Sequence, residues 1–381
     1  MTADRTTAPR TTTRRRIVAG AALLPLLALA ACGYGSEKKD DTSNAAATSG
    51  TSAGADTGKK LSASTVKIGY FANLTHATPL VGLKEGFFAQ ELGSGTTIKE
   101  SVFNAGPAEI EALNAGSIDI GWIGPSPAVN GWTKSGGKSL KIISGSASGG
   151  VKLVVNPKKI TSLKDVKGKR IATPQLGNTQ DVALLNWIAG QGWKVDATSG
   201  KGDVSVIRTD NKITPDAYKS GSIDGAWVPE PTASKLVAEG AKVLLDESSL
   251  WKDGKFVITN VIVSQKFLSE HPDVVEAVLR GSVKTNAWIT ANPDKAKADA
   301  NAQLEKLSGK PLPADVIDPA WKSIQVTDDP LASTLQSEAD HAVTAGLLEK
   351  PDLKGIYDLT ILNKILTAEG RTELGNAGLG S

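Results

Sequence analysis

The chain has 381 residues, with 43 basic and 40 acidic side chains, a formal net charge of +3 and 40% hydrophobic residues. The positive charge is concentrated at the N-terminus: residues 1–31 carry five Arg and one Asp, and the remaining chain has 38 basic against 39 acidic residues. Binding of nucleic acid needs a basic stripe, so a nucleic-acid partner is excluded for the rest of the chain. A chain of this length usually exceeds a single hydrophobic core, which predicts two lobes.

The N-terminus has the pattern of a bacterial lipoprotein signal. Arg14, Arg15 and Arg16 precede an apolar stretch over residues 17–30, and the only cysteine of the chain follows at Cys32. An apolar stretch this short does not make a permanent membrane span, and small residues before its end suit a signal peptidase. We therefore expect a signal peptide over 1–31, a lipid anchor on Cys32 and an extracytoplasmic protein held to the cell membrane. The arginine run fits both Sec and twin-arginine export.

The segment 32–64 is predicted to be a flexible linker. It consists mainly of Gly, Ser, Thr, Ala, Asp and Lys, with almost no large apolar side chain to bury. Folding is expected to start near Val66. Because Cys32 is the only cysteine, no intramolecular disulfide is possible, and stability must come from burial.

The next segment alternates strands with helices, which indicates parallel βαβ units. The predicted strands are 66–71, 97–103, the segment 116–122 and 140–144, with helices from 76 and from 107 between them. An apolar run at 151–155 is taken as a strand that leaves the first lobe.

The same rhythm continues in a second lobe. We predict strands at 170–173, 204–207, 223–228 and 241–245 and helices at 178–189, 214–219 and 231–239. The apolar strand 256–263 then returns to the first lobe, and the amphipathic segment 266–292 and later helices pack there. Lobe 1 is accordingly assigned to 65–153 and 257–370, lobe 2 to 154–256, and 371–381 to a disordered tail. The predicted fold is α/β, with two Rossmann-like lobes joined by a two-strand hinge that permits closure on a ligand.

A short segment occurs twice, once in each predicted lobe. Residues 116–122 read GSIDIGW and residues 221–227 read GSIDGAW, and each copy runs into a turn that contains proline. Asp119 and Asp224 are interpreted as residues that close a turn into the strand. The corners that follow, 124–126 and 227–230, differ between the copies, so ligand specificity is expected there.

Ligands of open α/β sheets bind beyond the carboxyl ends of the strands, where helix N-termini present free N–H groups. Five corners meet this rule: 72–76, 104–107, 124–126, 175–180 and 227–230. Neutral donors at several helix N-termini favour an anion. The donors in these corners are Asn73, Thr75, His76, Ser126, Asn178, Thr179 and Gln180.

Each of these residues also has a structural interpretation. Asn178 and Thr179 are good helix caps, and His76 suits a histidine satisfied within the core. Trp227 is expected nearer the end of its strand than the core tryptophan Trp122. Glu230 either favours the N-terminus of its helix or binds a cationic group of the ligand.

Catalysis has little support in the sequence. There are three histidines, and no His/Cys/carboxylate cluster has the spacing of a metal site. A nucleophile elbow, a phosphate loop and a dinucleotide fingerprint are all missing from the sequence. We therefore expect a binding protein rather than an enzyme, with no cofactor and no metal.

From about residue 66 to 366 the chain resembles the solute-binding lipoproteins of ABC importers for aliphatic sulfonates, taurine and nitrate. The motifs that carry the resemblance are NLTHA at 73–77, AGP at 105–107 with EALNAGSID at 111–119, TPQLGNTQD at 173–181 and DGAWVPEP at 224–231. The resemblance implies a type II periplasmic-binding-protein fold and a monomer that delivers its ligand to a membrane permease with a separate ATPase.

The resemblance also implies a site. The anionic group of the ligand would lie near Asn73, His76, Gly106, Ser126, Asn178, Thr179 and Gln180, and Trp227 and Glu230 would border its tail. An aliphatic sulfonate is the favoured ligand. Taurine, nitrate and a pyrimidine-type compound are kept as alternatives, because Pro229-Glu230-Pro231 stands where the sulfonate proteins tend to have Trp-Asp-Pro. A sensor domain is a further alternative. A relative of the thiamine-pyrimidine synthases would be the enzymatic one, but their cysteine- and histidine-rich site has no counterpart in this sequence.

Overall fold

Two sheets form the framework of residues 60–380, the part of the chain that the computed structural model describes. The predicted signal peptide, Cys32 and residues 32–59 of the predicted linker lie outside the described residues. The strands are β1 (Thr65–Phe71), β2 (Thr97–Phe103), β3 (Ile120–Ile123), β4 (Leu140–Gly149), β5 (Val151–Val155), β6 (Arg170–Thr173), β7 (Ser205–Arg208), β8 (Gly225–Pro229), β9 (Lys242–Asp246), β10 (Val257–Ser264) and β11 (Ile324–Val326).

Helices cover the faces of both sheets. They are α1 (Ala77–Lys84), α2 (Phe87–Leu92), α3 (Gly106–Asn114), α4 (Pro125–Lys134), α5 (Thr179–Gly190), α6 (Thr214–Lys219), α7 (Thr232–Ala238), α8 (Gln265–Glu270), α9 (Pro272–Ala291), α10 (Pro293–Ser308), α11 (Ala314–Lys322), α12 (Ala332–Thr344) and α13 (Thr360–Ala368). Pro272 starts α9, which divides the amphipathic segment 266–292 into two helices. Within the described residues, no helix is long and apolar enough to cross a membrane.

The two sheets share one strand arrangement. The first has the order β11-β4-β10-β3-β1-β2 and the second β7-β6-β8-β5-β9. In each, three parallel strands are followed by one antiparallel strand, β10 in the first sheet and β5 in the second. That antiparallel strand is the one that enters from the other lobe. The boundary between the lobes therefore lies near the carboxyl ends of β1, β3, β6 and β8.

The first crossing lies a few residues earlier than predicted. The chain leaves β4 through Gly149 and Gly150, whose φ angles of +79° and +73° favour glycine, and β5 already belongs to the second sheet. Residues 151–153, which were assigned to lobe 1, therefore lie in lobe 2. The prediction placed the crossing inside the apolar run 151–155, whereas it lies at the two glycines that precede this run.

The segment α11-β11-α12 contacts both lobes, whereas the sequence predicts that it packs on lobe 1. Helix α11 packs against α7 of lobe 2, and Ile324 of β11 contacts the hydrophobic cores of both lobes. In α12, Leu335 and Ala339 lie in the core of lobe 1, while the helix also packs against α5 of lobe 2. The two lobes are thus connected by this packed segment as well as by two strand crossings.

The tail predicted to be disordered is held against lobe 1. Arg371 forms an ion pair of 2.5 Å with Asp328, which is buried. Asn363 exchanges two hydrogen bonds with the backbone of Leu374, and Gly380 pairs with Tyr357. The prediction for 371–380 is therefore wrong, because composition does not reveal partners that lie elsewhere in the chain.

The predicted linker also ends before residue 64. The Ser62 hydroxyl donates to Asp273, and the carbonyl groups of Ala63 and Ser64 accept from Thr96 and Thr97. These hydrogen bonds extend the edge of β1 by a few residues. The small side chains of this segment do not prevent its backbone from pairing.

The repeated segment has the same structural role in both lobes. The Asp119 carboxylate accepts from the backbone N–H of Lys67 at the start of β1, and Asp224 accepts in the same way from Arg170 at the start of β6. Each aspartate thus fixes its own strand beside the first strand of its sheet. The identical part of the repeat belongs to the scaffold.

Candidate functional site

A narrow cleft lies between the lobes at the carboxyl ends of the strands. Its cavity volume is about 20 Å³, little more than a single water molecule needs, so the lobes lie close together around it. Its walls come from both lobes and consist mainly of amide, hydroxyl and apolar groups. The lining residues are Phe71, Asn73, Thr75, His76, Asn104, Gly124, Asn178, Thr179, Gln180, Asn211, Pro229 and Ile258.

His76 lines the cleft as a neutral residue whose two ring nitrogens are engaged. Its Nε2 lies 2.9 Å from the carbonyl oxygen of Trp122, which only accepts, so Nε2 carries the proton. Its Nδ1 lies 3.2 Å from the Thr75 hydroxyl, which donates to it. Burial lowers the pKa of His76 to about 3. The imidazole thus offers a ligand its ring face rather than a charge or a free N–H.

The N-terminus of α5 supplies donors from lobe 2. Asp181 and Val182 donate their N–H groups to the Asn178 carbonyl, so the N–H groups of Thr179 and Gln180 in the first turn lack an intrahelical acceptor. The Thr179 hydroxyl oxygen is buried and has no hydrogen-bond partner among the described residues. A helix N-terminus with free donors attracts an anion.

The charge of Asp181 in this turn is already balanced. Its side chain is fully buried, and it pairs with Arg208 at 2.9 Å and accepts from Thr173 and from the N–H of Gly177. It therefore stabilises the loop that precedes α5. The donors that point into the cleft stay available to a ligand.

The two lobes contact each other directly at the cleft. Asn178 of lobe 2 accepts a hydrogen bond of 3.2 Å through Oδ1 from the N–H of Gly106, the first residue of α3 in lobe 1. A Cβ at Gly124 would lie 2.3 Å from Oγ1 of Thr179. Both contacts require the lobes to be close, and both involve residues predicted to bind the ligand or their immediate neighbours.

Ser126 lies behind this contact rather than in the wall of the cleft. It is two residues beyond Gly124, in the first turn of α4, and its hydroxyl is buried with no hydrogen-bond partner among residues 60–380. It faces the carboxyl group of Glu338 on α12. Ser126 is therefore a neighbour of the lining residue Gly124 in the sequence but is not itself part of the lining.

Trp227 does not border the cleft, whereas the resemblance implied a position beside the ligand's tail. The residue is fully buried in the core of lobe 2, and its indole N–H donates to Glu247 at 2.6 Å. Its ring lies 6.0 Å from that of Trp187. Because β8 is buried on both faces, the position of Trp227 near the end of its strand did not decide which way the side chain points.

Glu230 forms a buried ion pair and lies outside the lining of the cleft. Its carboxylate lies 2.6 Å from Nζ of Lys152 and accepts from the N–H and hydroxyl of Ser234. The backbone carbonyl of Glu230 accepts from the N–H of Leu74 in lobe 1 at 3.1 Å. Glu230 does lie at the predicted corner after β8. The cation beside its carboxylate is Lys152, where the sequence analysis allowed for a cationic group of the ligand.

Several cleft residues were missing from the predicted set. Asn211 follows the end of β7 and has a buried Oδ1 that lacks a hydrogen-bond partner among the described residues. The rule that selected the other corners also applies to this strand end, so the signal was present. Phe71 and Ile258 lie within strands, and their direction toward the cleft could not be inferred from alternation in strands buried on both faces.

The lining residues of the cleft include no Lys, Arg, Asp or Glu. Any charge on a ligand must therefore be met by amides, hydroxyl groups and the N-termini of helices. Groups of three or more His, Cys, Asp or Glu residues that could hold a metal do not occur within residues 60–380.

Comparison with known proteins identifies the family. The sequence matches the NMT1-like family over residues 59–304, which is more than half of the chain. The chain belongs to the NMT1-like family. The resemblance to the sulfonate, taurine and nitrate solute-binding proteins that the motifs indicated is confirmed.

Two curated relatives of this NMT1-like protein and one solved structure illustrate the likeness. A Brucella abortus protein named only as a binding protein is 29% identical over 307 residues, 77% of this chain and 89% of the relative. The taurine-binding periplasmic protein of Escherichia coli K12 is 30% identical over 240 residues, 62% of this chain and 72% of the relative. The alkanesulfonate-binding protein of Xanthomonas axonopodis bound to MOPS aligns with a TM-score of 0.61 and 23% identity, over 76% of this chain and 95% of that protein. The predicted periplasmic-binding-protein fold is thereby confirmed.

Proposed function

We propose that this NMT1-like protein is an extracytoplasmic solute-binding protein that captures a small organic anion between its lobes and passes it to an ABC importer. The carrying observation is a narrow cleft between the lobes that has no charged side chain in its lining and an unpaired Thr179 hydroxyl at the N-terminus of α5. The names of the taurine-binding and alkanesulfonate-binding relatives support a sulfonate as the ligand. We propose lipid attachment at Cys32 and a monomer as the form that works with the permease.

The ligand contacts follow from the lining of the cleft. We propose that the anionic group lies at the first turn of α5, where it accepts from the N–H groups of Thr179 and Gln180 and from the Thr179 hydroxyl. Asn73 would donate from lobe 1, and Asn178, whose amide already donates one hydrogen to Gln180 Oε1, would offer its second hydrogen from lobe 2. The neutral ring of His76 would form part of the wall. Gly106 allows α3 to approach this position closely.

Capture works by closure of the lobes. An anion that accepts hydrogen bonds from both lobes gains contacts available only when they are together, which shifts the population toward the closed form. Neutral donors suit this task because a small hydrated anion must also be released to the permease. A buried lysine or arginine would strengthen binding of the anion at the expense of release.

A thermal-shift screen of the purified protein tests this function. The panel contains alkanesulfonates, taurine, nitrate, sulfate and pyrimidines, and a ligand at 100 times its dissociation constant should add about 2.7 kcal/mol to the free energy of unfolding. Gln180→Ala keeps the backbone N–H but removes the side chain that accepts from Asn178 at 2.9 Å, so it should reduce the shift. Gln191→Ala at the far end of α5 is the matched control and should retain it. Failure of every sulfonate to stabilise the protein would refute the proposed ligand class.

A transport assay separates import from the sensor role. Proteoliposomes that contain the cognate permease and its ATPase should accumulate the ligand only when the binding protein is added. Ligand binding without stimulated ATP hydrolysis would favour a sensor domain instead.

A further inference from the structure

A second cavity, here called the aromatic cavity, is bounded by α5, by the short helical turn Glu247–Leu250 after β9 and by α12. Its volume is about 390 Å³, against about 20 Å³ for the cleft, and it falls in the range of small-molecule sites. Short side chains of α5, among them Ala183 and Ala189, leave this space open. Of the lining residues, Leu250 is 49% exposed and Glu247 is 2% exposed, so the cavity opens to solvent beside Leu250 and ends at Glu247.

Three aromatic side chains line this cavity, and each is fixed by its neighbours. The ring of Trp251 stacks on that of Phe256 at 5.4 Å and lies 5.2 Å from the ring of His341. The ring of Trp187 meets that of Trp193 edge to face at 5.7 Å. Rings that are already held in place lose little freedom when a ligand binds. Indole rings attract cations, so the walls suit a positively charged solute.

The charges around the aromatic cavity also favour a cation. Glu247 carries the one carboxyl group among the described residues that line it, and those residues include no Lys or Arg. Burial raises the pKa of Glu247 to about 7, although the indole N–H groups of Trp227 and Trp251 oppose this rise. Burial lowers the pKa of His341, so the imidazole is neutral at pH 7. A cation in the cavity would stabilise the charged form of Glu247 and would meet no positive side chain.

The walls favour a methylated ammonium group over a primary one. A primary ammonium group brings three donors that need acceptors once they leave water. Glu247 already accepts from the indole N–H of Trp227 at 2.6 Å, and the indoles of Trp187 and Trp251 offer no acceptor. A quaternary ammonium group donates no hydrogen bond, and its methyl groups can pack on aromatic rings while its charge is attracted to them.

We propose that the aromatic cavity is a second ligand site and binds a small quaternary ammonium compound beside Trp187, Trp251 and Glu247. The inference goes beyond the proposed function, because the cavity and the cleft share no lining residue. The methylated ammonium group would lie against the two indoles, and the Glu247 carboxylate would balance its charge. Helix α5 then serves two sites, with its N-terminus at the cleft and its C-terminal half at the aromatic cavity.

Calorimetry with choline and its neutral isostere tests this site. In 3,3-dimethyl-1-butanol a carbon atom replaces the quaternary nitrogen, so the two compounds differ in charge and little in shape. The wild-type protein should bind choline about 5- to 30-fold more tightly than the isostere, as expected of a cation beside desolvated aromatic rings. Ethanolamine, the primary amine, should bind more weakly than choline.

Three results with the wild-type protein would overturn the proposal, whether or not any variant folds. They are equal binding of choline and the isostere, tighter binding of ethanolamine than of choline, and no binding of either choline or tetramethylammonium at millimolar concentrations. The anion panel tests the cleft separately, so each of the two proposals can fail while the other stands.

Glu247→Gln locates the bound cation. Glutamine keeps an acceptor for the Trp227 N–H and removes the charge, so the ratio of choline to isostere affinity should fall to about twofold or less. Glu239→Gln is the matched control, since it makes the same change at an exposed position of lobe 2 and should leave the ratio unchanged. Choline affinity that is unaltered by Glu247→Gln would place the cation elsewhere and overturn the assignment.

Discussion

A methyl group at Gly124 should keep the lobes apart. Gly124 has ordinary backbone angles (φ −69°, ψ 157°), so alanine fits the chain of lobe 1 without strain. Its Cβ would nevertheless lie 2.3 Å from Oγ1 of Thr179 in lobe 2. Since non-bonded heavy atoms need roughly 3.5 Å, the lobes would have to separate locally by about 1 Å.

Rotation of the Thr179 side chain would relieve this conflict only at a cost in free energy. Threonine has two heavy atoms on Cβ, so two of its three rotamers place one of them toward Gly124. The third rotamer removes the hydroxyl from its place in the cleft. Overpacking of this kind typically costs about 1–3 kcal/mol, which corresponds to about 5- to 150-fold weaker ligand binding.

The assay is calorimetric titration of Gly124→Ala with the tightest sulfonate from the thermal-shift panel. Gly190→Ala is the control, because nothing lies within 4 Å of a Cβ at that position of α5, and its affinity should match that of the wild type. The melting temperature of unliganded Gly124→Ala should stay close to that of the wild type, since the conflict exists only between lobes.

A double-mutant cycle identifies the cause. In a Thr179→Ala background the nearest remaining atom of residue 179 is its Cβ, at 3.4 Å. Gly124→Ala should therefore have little further effect on affinity there. If it weakens binding by the same factor in both backgrounds, contact with Thr179 is not the reason and the closed arrangement of the cleft is not the one that binds ligand.

Three further predictions concern stability and protonation. Lys152→Met leaves Glu230 buried without its cation and should lower the free energy of unfolding by about 3–5 kcal/mol in urea titrations. Lys295→Met is the control: the side chain of Lys295 is 58% exposed, so its loss should lower the free energy of unfolding by less than about 1 kcal/mol. An equal decrease in both variants would contradict the buried ion pair. Arg371→Ala removes a partner of the buried Asp328 and should lower the free energy of unfolding by about 1–3 kcal/mol. It should also make the C-terminus sensitive to protease. An unchanged digestion pattern would count against a tail that is held to lobe 1. Burial lowers the pKa of His76 to about 3, so its imidazole NMR signals should not titrate between pH 5 and 8. The unfolded chain then binds the extra proton below about pH 6.5, so the free energy of unfolding should fall as the pH decreases from 6.5 toward 3; titration of His76 near pH 6.5 would refute its buried neutral state.

The sequence predicted those parts of the fold that depend on local pattern. The strand 97–103 and the helix 214–219 occur at their predicted bounds, since alternation and a proline near a helix start act over a few residues. The strand-end rule found most of the cleft, because the carboxyl ends of parallel strands necessarily meet at one edge of a sheet. It would also have found Asn211 if the end of β7 had been included.

The errors concern partners that are distant along the chain. Glu230 is paired with Lys152, 78 residues earlier, and Arg371 with Asp328, 43 residues earlier. Neither contact leaves a local pattern, so Glu230 was assigned to the ligand and the tail to disorder. Trp227 was misplaced for a different reason: a strand covered on both faces has no polar side to fix the direction of its side chains.

The segment α11-β11-α12 restricts how the cleft can open. Rotation about two strand crossings alone would allow the lobes to swing apart freely, but α11 packs on α7 and α12 packs on α5 across the boundary. Packed helices move past each other by small sliding steps, so opening must combine rotation at the strands with shear at these two interfaces. The side chains packed between these helices then limit how far the two lobes can rotate apart. The cleft should therefore open through a smaller angle than the two strand crossings alone would allow.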